Sequence, residues 1–400
     1  MYWRWNAPFW KSLARIVTSL AVLGLLATLA LVTWLVIERN RPVVLPAPSG
    51  PYAVGRVSYD WVDESRPETF AAAPGARREL MVWMWYPAAP APGARPAAYL
   101  PGRWGEVRER DQGIWALLFQ RQGSIHAHAI ADAPLSPAQA RYPVLIMSAG
   151  YGRLPTDYTV LAEDLASHGY VVTGIANTYS APVVVFPDGR VVRRVPEATI
   201  SESSPEAGQR TADGLVVVWA ADVVSAMNQL ERLNADAQGM FAGRLDLTRI
   251  GVFGHSFGGA ATAQACLVDS RCKAGVDVDG TLYGDVVEAG VRQPFMFISS
   301  EPRSPAMEEQ DRRSFSSSLA HGAYWITIRG CRHFNFTDSA VTFAPSLKVV
   351  GMLGRIDGQR GLKVTGDYVR AFFDEYLNAA DTSLLDGASL DYPEVEFRSH

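Results

Sequence analysis

Cysteine is scarce in this 400-residue chain, which carries only Cys266, Cys272 and Cys331. Three cysteines cannot frame a disulfide-built scaffold, and none stands at zinc-ligand spacing, so no metal site is expected. Basic charge is not in excess either: 37 Lys and Arg face 41 Asp and Glu, a net charge of −4. A nucleic-acid partner, which would call for a basic face, is therefore not expected. Charged residues make up only 20% of the chain against 48% hydrophobic ones, a balance that excludes disorder and allows a large core. No internal repeat is visible, which excludes a solenoid.

Long apolar runs are also missing, with one exception. Residues 16–37 run for 22 positions without a charge, enough to cross a bilayer as a helix. Tyr2, Trp3, Trp5, Phe9 and Trp10 precede the run, interleaved with Arg4, Lys11 and Arg15, as an interfacial aromatic belt with basic anchors would be. The run exceeds the roughly 7–15-residue core of a cleaved signal and no A-x-A site follows, so an uncleaved anchor over 1–41 is expected. Three basic residues before the span against Arg39 and Arg41 after it place the N-terminus in the cytoplasm and the body outside it. Pro42, Pro46 and Pro48 with Ser49 and Gly50 read as a stiff linker over 42–50. A single catalytic domain is expected over 51–380 and a loose polar tail over 381–400.

Within the domain, residues 52–61 and 79–86 read as strands. Residues 97–141 read as an insertion in which Trp104, Trp115, Leu117, Leu118 and Phe119 line a pocket or pack as a cap. His126 and His128 share a strand face there without a third ligand, so packing is preferred to a metal role. The continuous apolar run 143–148 suits a buried parallel strand and ends in the loop Ala149-Gly150-Tyr151-Gly152. Spacing predicts a helix over 157–168 and a buried strand over 170–175, an alternation that implies a parallel sheet. A second insertion, 181–212, opens with a hairpin around Pro187-Asp188-Gly189 and continues as a polar loop to Asp213. A helix follows over 215–233. Ligands in such sheets sit beyond the carboxyl ends of the strands.

Gly254-His255-Ser256-Phe257-Gly258-Gly259 stands between a short apolar run and an Ala-rich helical stretch. This G-x-S-x-G in a strand–turn–helix context reads as a nucleophile elbow. Gly254 and Gly258 give the turn its room, and Ser256 is the candidate nucleophile. A serine needs a base to take its proton and an acid to orient that base. Of the seven histidines, His333 alone follows a late buried strand in a loop; His168 ends a helix, His255 is inside the elbow, His321 precedes a strand and His400 is terminal. The acid should end a strand between Ser256 and His333. Asp277 and Asp279 share a strand face; Asp279 is favoured because it stands at the end, next to Gly280, with Asp277 left to a structural hydrogen bond. Oxyanion donors are expected from the backbone N–H groups of Phe257 and Tyr151, whose side chains then shape the acyl pocket.

These motifs, together with residues 161–170, 293–298 and 326–336, resemble the platelet-activating-factor acetylhydrolase family of the plasma and type II kind, in order over roughly residues 80 to 378. The resemblance implies an α/β-hydrolase fold, a mostly parallel central sheet with helices on both faces, and a serine esterase that needs no cofactor. It also implies phospholipid substrates with short or oxidised sn-2 acyl chains. Carried over, the triad falls on Ser256, Asp279 and His333, and the oxyanion donors on Tyr151 and Phe257. The chain departs from the family at Ala149-Gly150, where His-Gly is usual, and at Gly280-Thr281, where animal members carry bulkier residues. The expected partners are a small-molecule or lipid ester and, through the N-terminal helix, a membrane. Alternatives are a polyester, thioester or xenobiotic-ester hydrolase on the same triad, or a catalytically silent binding module. Cys266 and Cys272 stand six positions apart, where a disulfide is one of two open outcomes, and Cys331 reads as a packed thiol.

Overall fold

The computed structural model describes residues 7–71, 74–301, 323–342, 348 and 351–399; the expectations placed on His321 and His400 lie outside them. An N-terminal helix, α1 (Ala7–Asn40), is exposed along nearly its whole length. At 34 residues it is about 50 Å long, and it is long and apolar enough to cross a membrane.

The body begins with strands β1 (Val43–Val44), β2 (Ala53–Pro67), β3 (Arg77–Ala88) and β4 (Pro96–Ala98), then helix α2 (Arg103–Gln112) and strand β5 (Ile125–Ala131). The alternating part follows: β6 (Tyr142–Ser148), α3 (Thr159–Ser167), β7 (Val171–Ala176), the hairpin β8 (Val183–Val185) and β9 (Val191–Arg193), then α4 (Pro205–Ala235). Strand β10 (Leu245–His255), α5 (Phe257–Val268), β11 (Cys272–Val278), β12 (Phe295–Ser299) and β13 (Ala323–Ile328) complete it. A C-terminal helix, Gly358–Asn378, and β14 (Val395–Ser399) close the chain.

Twelve strands form one sheet in the order β1-β5-β2-β3-β7-β6-β10-β11-β12-β13-β14, with β4 against β5. From β7 to β13 every pairing is parallel; β3 joins β7, and β14 joins β13, antiparallel. Strand β6 is buried throughout because it is covered on both faces. Leu145 and Met147 pack into the layer of α3 and the C-terminal helix, whereas Val144 and Ile146 pack into that of α4 and α5. The two-residue period of a strand thus serves two helical layers. This is the α/β-hydrolase architecture expected above.

Several boundaries differ from expectation, one for a local reason and the others for long-range ones. Residues 205–213 are not loop: α4 starts at Pro205, capped by the Ser204 side chain, which accepts from the Ala207 N–H. Proline suits that first position, where no N–H is needed. The stretch 42–50 is docked rather than free: β1 pairs with β5, and Ser49 and Gly50 donate backbone N–H groups to Asp164 Oδ1 (2.8 Å) and Ser167 Oγ (2.9 Å). The stretch 97–141 is partly framework, since β5 belongs to the main sheet. The tail is not loose throughout, because β14 supplies the sheet's last edge. Trp104 packs into the core, edge-on to Trp83 at 5.7 Å between ring centroids.

Cys266, at the end of α5, and Cys272, opening β11, are joined by a disulfide with Cα atoms 5.1 Å apart, and Cys331 is a buried free thiol. Disulfides persist in oxidising compartments. Thiol titration of the denatured, unreduced protein should therefore find the Cys331 thiol alone and, after reduction, all three cysteines. Cys272→Ser should lower unfolding free energy by about 2 kcal/mol. A full titre without reductant would contradict the bridge.

Candidate active site

Strand β10 ends at His255 and α5 begins at Phe257, so Ser256 makes the whole turn between them. Its backbone sits at φ 56°, ψ −127°, a region that costs a side-chain-bearing residue about 1–3 kcal/mol. Bonds from Ser256 N–H to the Val278 carbonyl and from Gly259 N–H to the Ser256 carbonyl, both 2.8 Å, hold it there. The flanking glycines are obligatory contacts. A Cβ on Gly254 would lie 2.1 Å from the Gly258 carbonyl oxygen, and one on Gly258 would lie 2.1 Å from that of Ser148.

The three candidate catalytic side chains come together. His333 Nε2 lies 2.9 Å from Ser256 Oγ, and His333 Nδ1 lies 2.7 Å from Asp279 Oδ2. A carboxylate only accepts, so Nδ1 carries the proton and the Nε2 lone pair faces the serine hydroxyl. The Asp279 side chain is 3% exposed and the His333 side chain 41%, so the candidate acid is sealed while the candidate base is open to the site. Asp279, at φ 55°, is held by a bond from Ser300 N–H to Oδ1 (2.7 Å) and one from Ser300 Oγ–H to Oδ2 (2.9 Å). Ser300 escaped the sequence reading; its one signal is that it directly follows β12, the strand beside β11. Asp277, the alternative, instead accepts the Gly280 N–H at 2.9 Å and lies where a Cβ on Gly259 would stand.

A second histidine supports the arrangement. His255 is buried, its ring centroid 4.4 Å from that of His333. Its Nε2 is 2.9 Å from the His333 carbonyl oxygen and its Nδ1 is 2.9 Å from Tyr158 Oη. The carbonyl must accept, so Nε2 carries the proton and Nδ1 accepts from the tyrosine. Tyr158 Oη in turn accepts the Gly150 N–H at 3.0 Å. Burial, with His333 adding repulsion, pushes the His255 pKa well below the usual histidine range. One polar chain thus links the loop after β6 to the backbone of His333. A Cβ on Gly150 would lie 3.0 Å from both His255 Nδ1 and Tyr158 Oη, so this chain explains the glycine.

A family model, platelet-activating factor acetylhydrolase, isoform II, matches residues 38–201 and 211–388. The chain belongs to this family. Its similarity to a platelet-activating factor acetylhydrolase of Cavia porcellus is 26% identity over 275 residues, 64% of this chain and 62% of that one. The chain therefore spans about six-tenths of that relative's length. A protein of Arthroderma benhamiae described as a "probable 1-alkyl-2-acetylglycerophosphocholine esterase" is 27% identical over 394 residues, 88% of this chain and 93% of its own. Among solved structures, a ferulic acid esterase from Streptomyces cinnamoneus superposes with a TM-score of 0.75 at 29% identity, covering 89% of this chain and 99% of that one.

In this member of the acetylhydrolase family, the N–H groups of Tyr151 and Phe257 have no backbone acceptor among the described residues. The Phe257 side chain is core rather than pocket lining: it is 4% exposed and packs edge-on against Trp219 at 4.9 Å. Tyr151 remains half-buried, with its ring 6.4 Å from that of Phe257. Gly152, at φ 75°, lies under the Arg194 guanidinium. Among the described residues no group of three or more His, Cys, Asp or Glu side chains could hold a metal ion.

The neutral His255 has a thermodynamic signature. The unfolded chain takes up a proton at this position below about pH 6.5 while the folded chain does not, so stability falls as pH falls, by up to ~1.4 kcal/mol per unit. His255→Asn removes this contribution. Its stability deficit against wild type, from denaturant unfolding between pH 7.5 and 5.5, should shrink as pH falls. A deficit that stays constant would mean that His255 does not stay neutral.

Proposed function

We propose that the protein is a membrane-anchored serine carboxylic-ester hydrolase of acetylhydrolase type, acting on short-acyl esters. The observation that carries this is the hydrogen-bonded line from Ser256 Oγ through the His333 ring to Asp279, 2.9 and 2.7 Å. His333 Nε2 takes the hydroxyl proton as Oγ attacks the ester carbonyl carbon, while Asp279 stabilises the imidazolium that forms. The Tyr151 and Phe257 N–H groups receive the negative charge that develops on the carbonyl oxygen. Collapse releases the alcohol, which takes the proton from His333 and leaves an acyl group on Ser256. Water, deprotonated by the same nitrogen, then attacks that acyl carbon and returns the free serine and a carboxylic acid. No step in this cycle calls for a cofactor.

Residues 1–41 would serve as the anchor, with a catalytic domain over 51–380 on the extracytoplasmic side. The basic residues before the span and the Cys266–Cys272 bridge both favour that side. A second reading within the same chemistry is favoured by the likeness to the ferulic acid esterase: esters of aromatic acids, for which the half-buried Tyr151 beside the elbow offers a stacking face.

Turnover of p-nitrophenyl esters from acetate to laurate, with methyl ferulate beside them, separates these readings. Acetate or butyrate should be preferred, and Ser256→Ala should lose at least about a thousandfold in kcat. Wild-type turnover by Ser256→Ala would sink the proposal, and a preference for methyl ferulate would move it to the second reading. A fluorophosphonate probe should label Ser256 in the folded wild type; no label and no turnover would leave a silent module. Protease added outside sealed cells should release the active body, and full protection would reverse the topology.

A further inference from the structure

A cavity of about 430 Å³ adjoins the site. Its lining includes Tyr151, on the loop after β6, and Phe334, next to His333, but not Ser256 itself. Each of these rings carries an arginine: the Arg194 guanidinium lies 4.6 Å from the Tyr151 centroid, and that of Arg153 lies 4.5 Å from the Phe334 centroid. The acids in the wall are already engaged. Asp111 pairs with Arg193 at 3.0 Å, and Asp157 with Arg108 at 2.7 Å. Arg153 and Arg194 have no carboxylate within 4.0 Å among the described residues. Among the described residues, their side-chain hydrogen bonds run only from Arg153 Nη1 to Ser339 Oγ, at 3.5 Å, and from Arg194 Nε to the Ser180 carbonyl, at 3.1 Å. Two half-buried cations, oriented by stacking and with most of their donors unspent, thus face one cavity beside the reacting serine.

We propose that Arg153 and Arg194 form an oxoanion subsite, so that the preferred substrates are esters carrying a phosphate or carboxylate group a short distance from the scissile bond. A guanidinium offers a planar fork of donors that matches either group, and an aromatic face fixes the plane of that fork before the ligand arrives. The inference rests on the ester-hydrolase reading above and adds the charge of the substrate to it. One wall of the cavity also meets the end of α1: Gln120 and Gln122 line it, and Glu109, which accepts the Gln122 N–H at 2.9 Å, pairs with Arg39 at 2.8 Å. The subsite thus lies beside the point where the apolar helix enters the body, a place open to an anion in the lipid layer as well as one in solution.

The test uses the full-length protein in neutral detergent and three acetyl esters: butyl acetate, 4-acetoxybutanoate and acetylglycerol 3-phosphate. Wild type should favour at least one anionic ester, and the ratio of its kcat/KM to that of butyl acetate should fall about tenfold in Arg153→Gln and in Arg194→Gln. Arg194→Lys should recover part of the ratio. Preference for the phosphate or for the carboxylate identifies the natural anion. Embedding an acetylated lysophosphatidic acid in phosphatidylcholine vesicles, beside the soluble phosphate ester, tells a lipid source from a soluble one. A parallel loss on neutral and anionic esters, with the ratio unchanged, would overturn the subsite and leave the arginines a packing role. If wild type hydrolyses no ester, the parent reading fails and a binding measurement decides the subsite: glycerol 3-phosphate or succinate should raise the melting temperature of Ser256→Ala. The Arg153→Gln, Arg194→Gln double variant on that background should lose the rise, and no rise with both arginines present would overturn the subsite.

Discussion

The site depends on how closely one helix can approach one sheet. Helix α5 meets the carboxyl ends of β6, β10 and β11 at contact distances that leave no room for a Cβ on Gly254 or Gly258. This approach forces Ser256 into its strained turn and lifts its hydroxyl clear of the backbone. It also sets the Phe257 N–H at the start of a helix, where no intrahelical acceptor exists. The strain is local, but what resists it is not. The Val278 carbonyl that holds the Ser256 N–H belongs to β11; Asp277, just before it, makes a structural bond, and Asp279, just after it, is the candidate acid bonded to His333. The candidate nucleophile and the candidate acid are therefore placed by the same pair of strands.

The candidate base, His333, arrives differently, on a loop after β13, and it needs separate support. That support is a buried, neutral polar chain, Gly150 to Tyr158 to His255 to the His333 carbonyl. On the proposed mechanism, a charged His255 at this place would repel the imidazolium that His333 becomes, so its neutrality would matter to catalysis as well as to folding. Every member has a partner, which is the condition under which a buried polar network rigidifies a core rather than weakening it. The family's usual His-Gly after this strand is Ala149-Gly150 here, and Tyr158 supplies the contact to the Gly150 N–H.

What was legible in the sequence follows from the range of the interactions involved. The elbow is spelled by neighbours in the chain, so Ser256, Gly254 and Gly258 were readable from spacing alone. His333 and Asp279 were readable because strand ends cluster in a parallel sheet, a rule of topology rather than of contacts. Tyr158 and Ser300 were not, because their bonds span 97 and 21 residues and no local pattern marks them. The start of α4 was locally signed, by Ser204 as cap and Pro205 at the first position, yet the polar residues that follow masked it. The docked stretch 42–50 and the edge strand β14 were invisible for a further reason. Both are short, and they are ordered by contacts with a sheet and a helix built elsewhere in the chain.

The insertion after β4 ties these features together. Its helix α2 and the turns that follow are not needed to close the sheet, yet they carry Glu109, which grips Arg39 at the end of α1, and Gln120 and Gln122, which line the cavity. Arg108, in the same helix, engages Asp157, whose carboxyl is held below the usual range against a large burial penalty, chiefly by that guanidinium. Asp157 in turn accepts the Leu154 N–H at 3.0 Å, one step from Arg153. A single segment therefore fixes the exit of the apolar helix, one wall of the cavity and the loop that bears Arg153. On the proposed topology, the bilayer surface and the entrance for substrate cannot be moved independently. A change in how α1 leaves the body would be felt first in the cavity and only then at Ser256, which the sheet holds by itself.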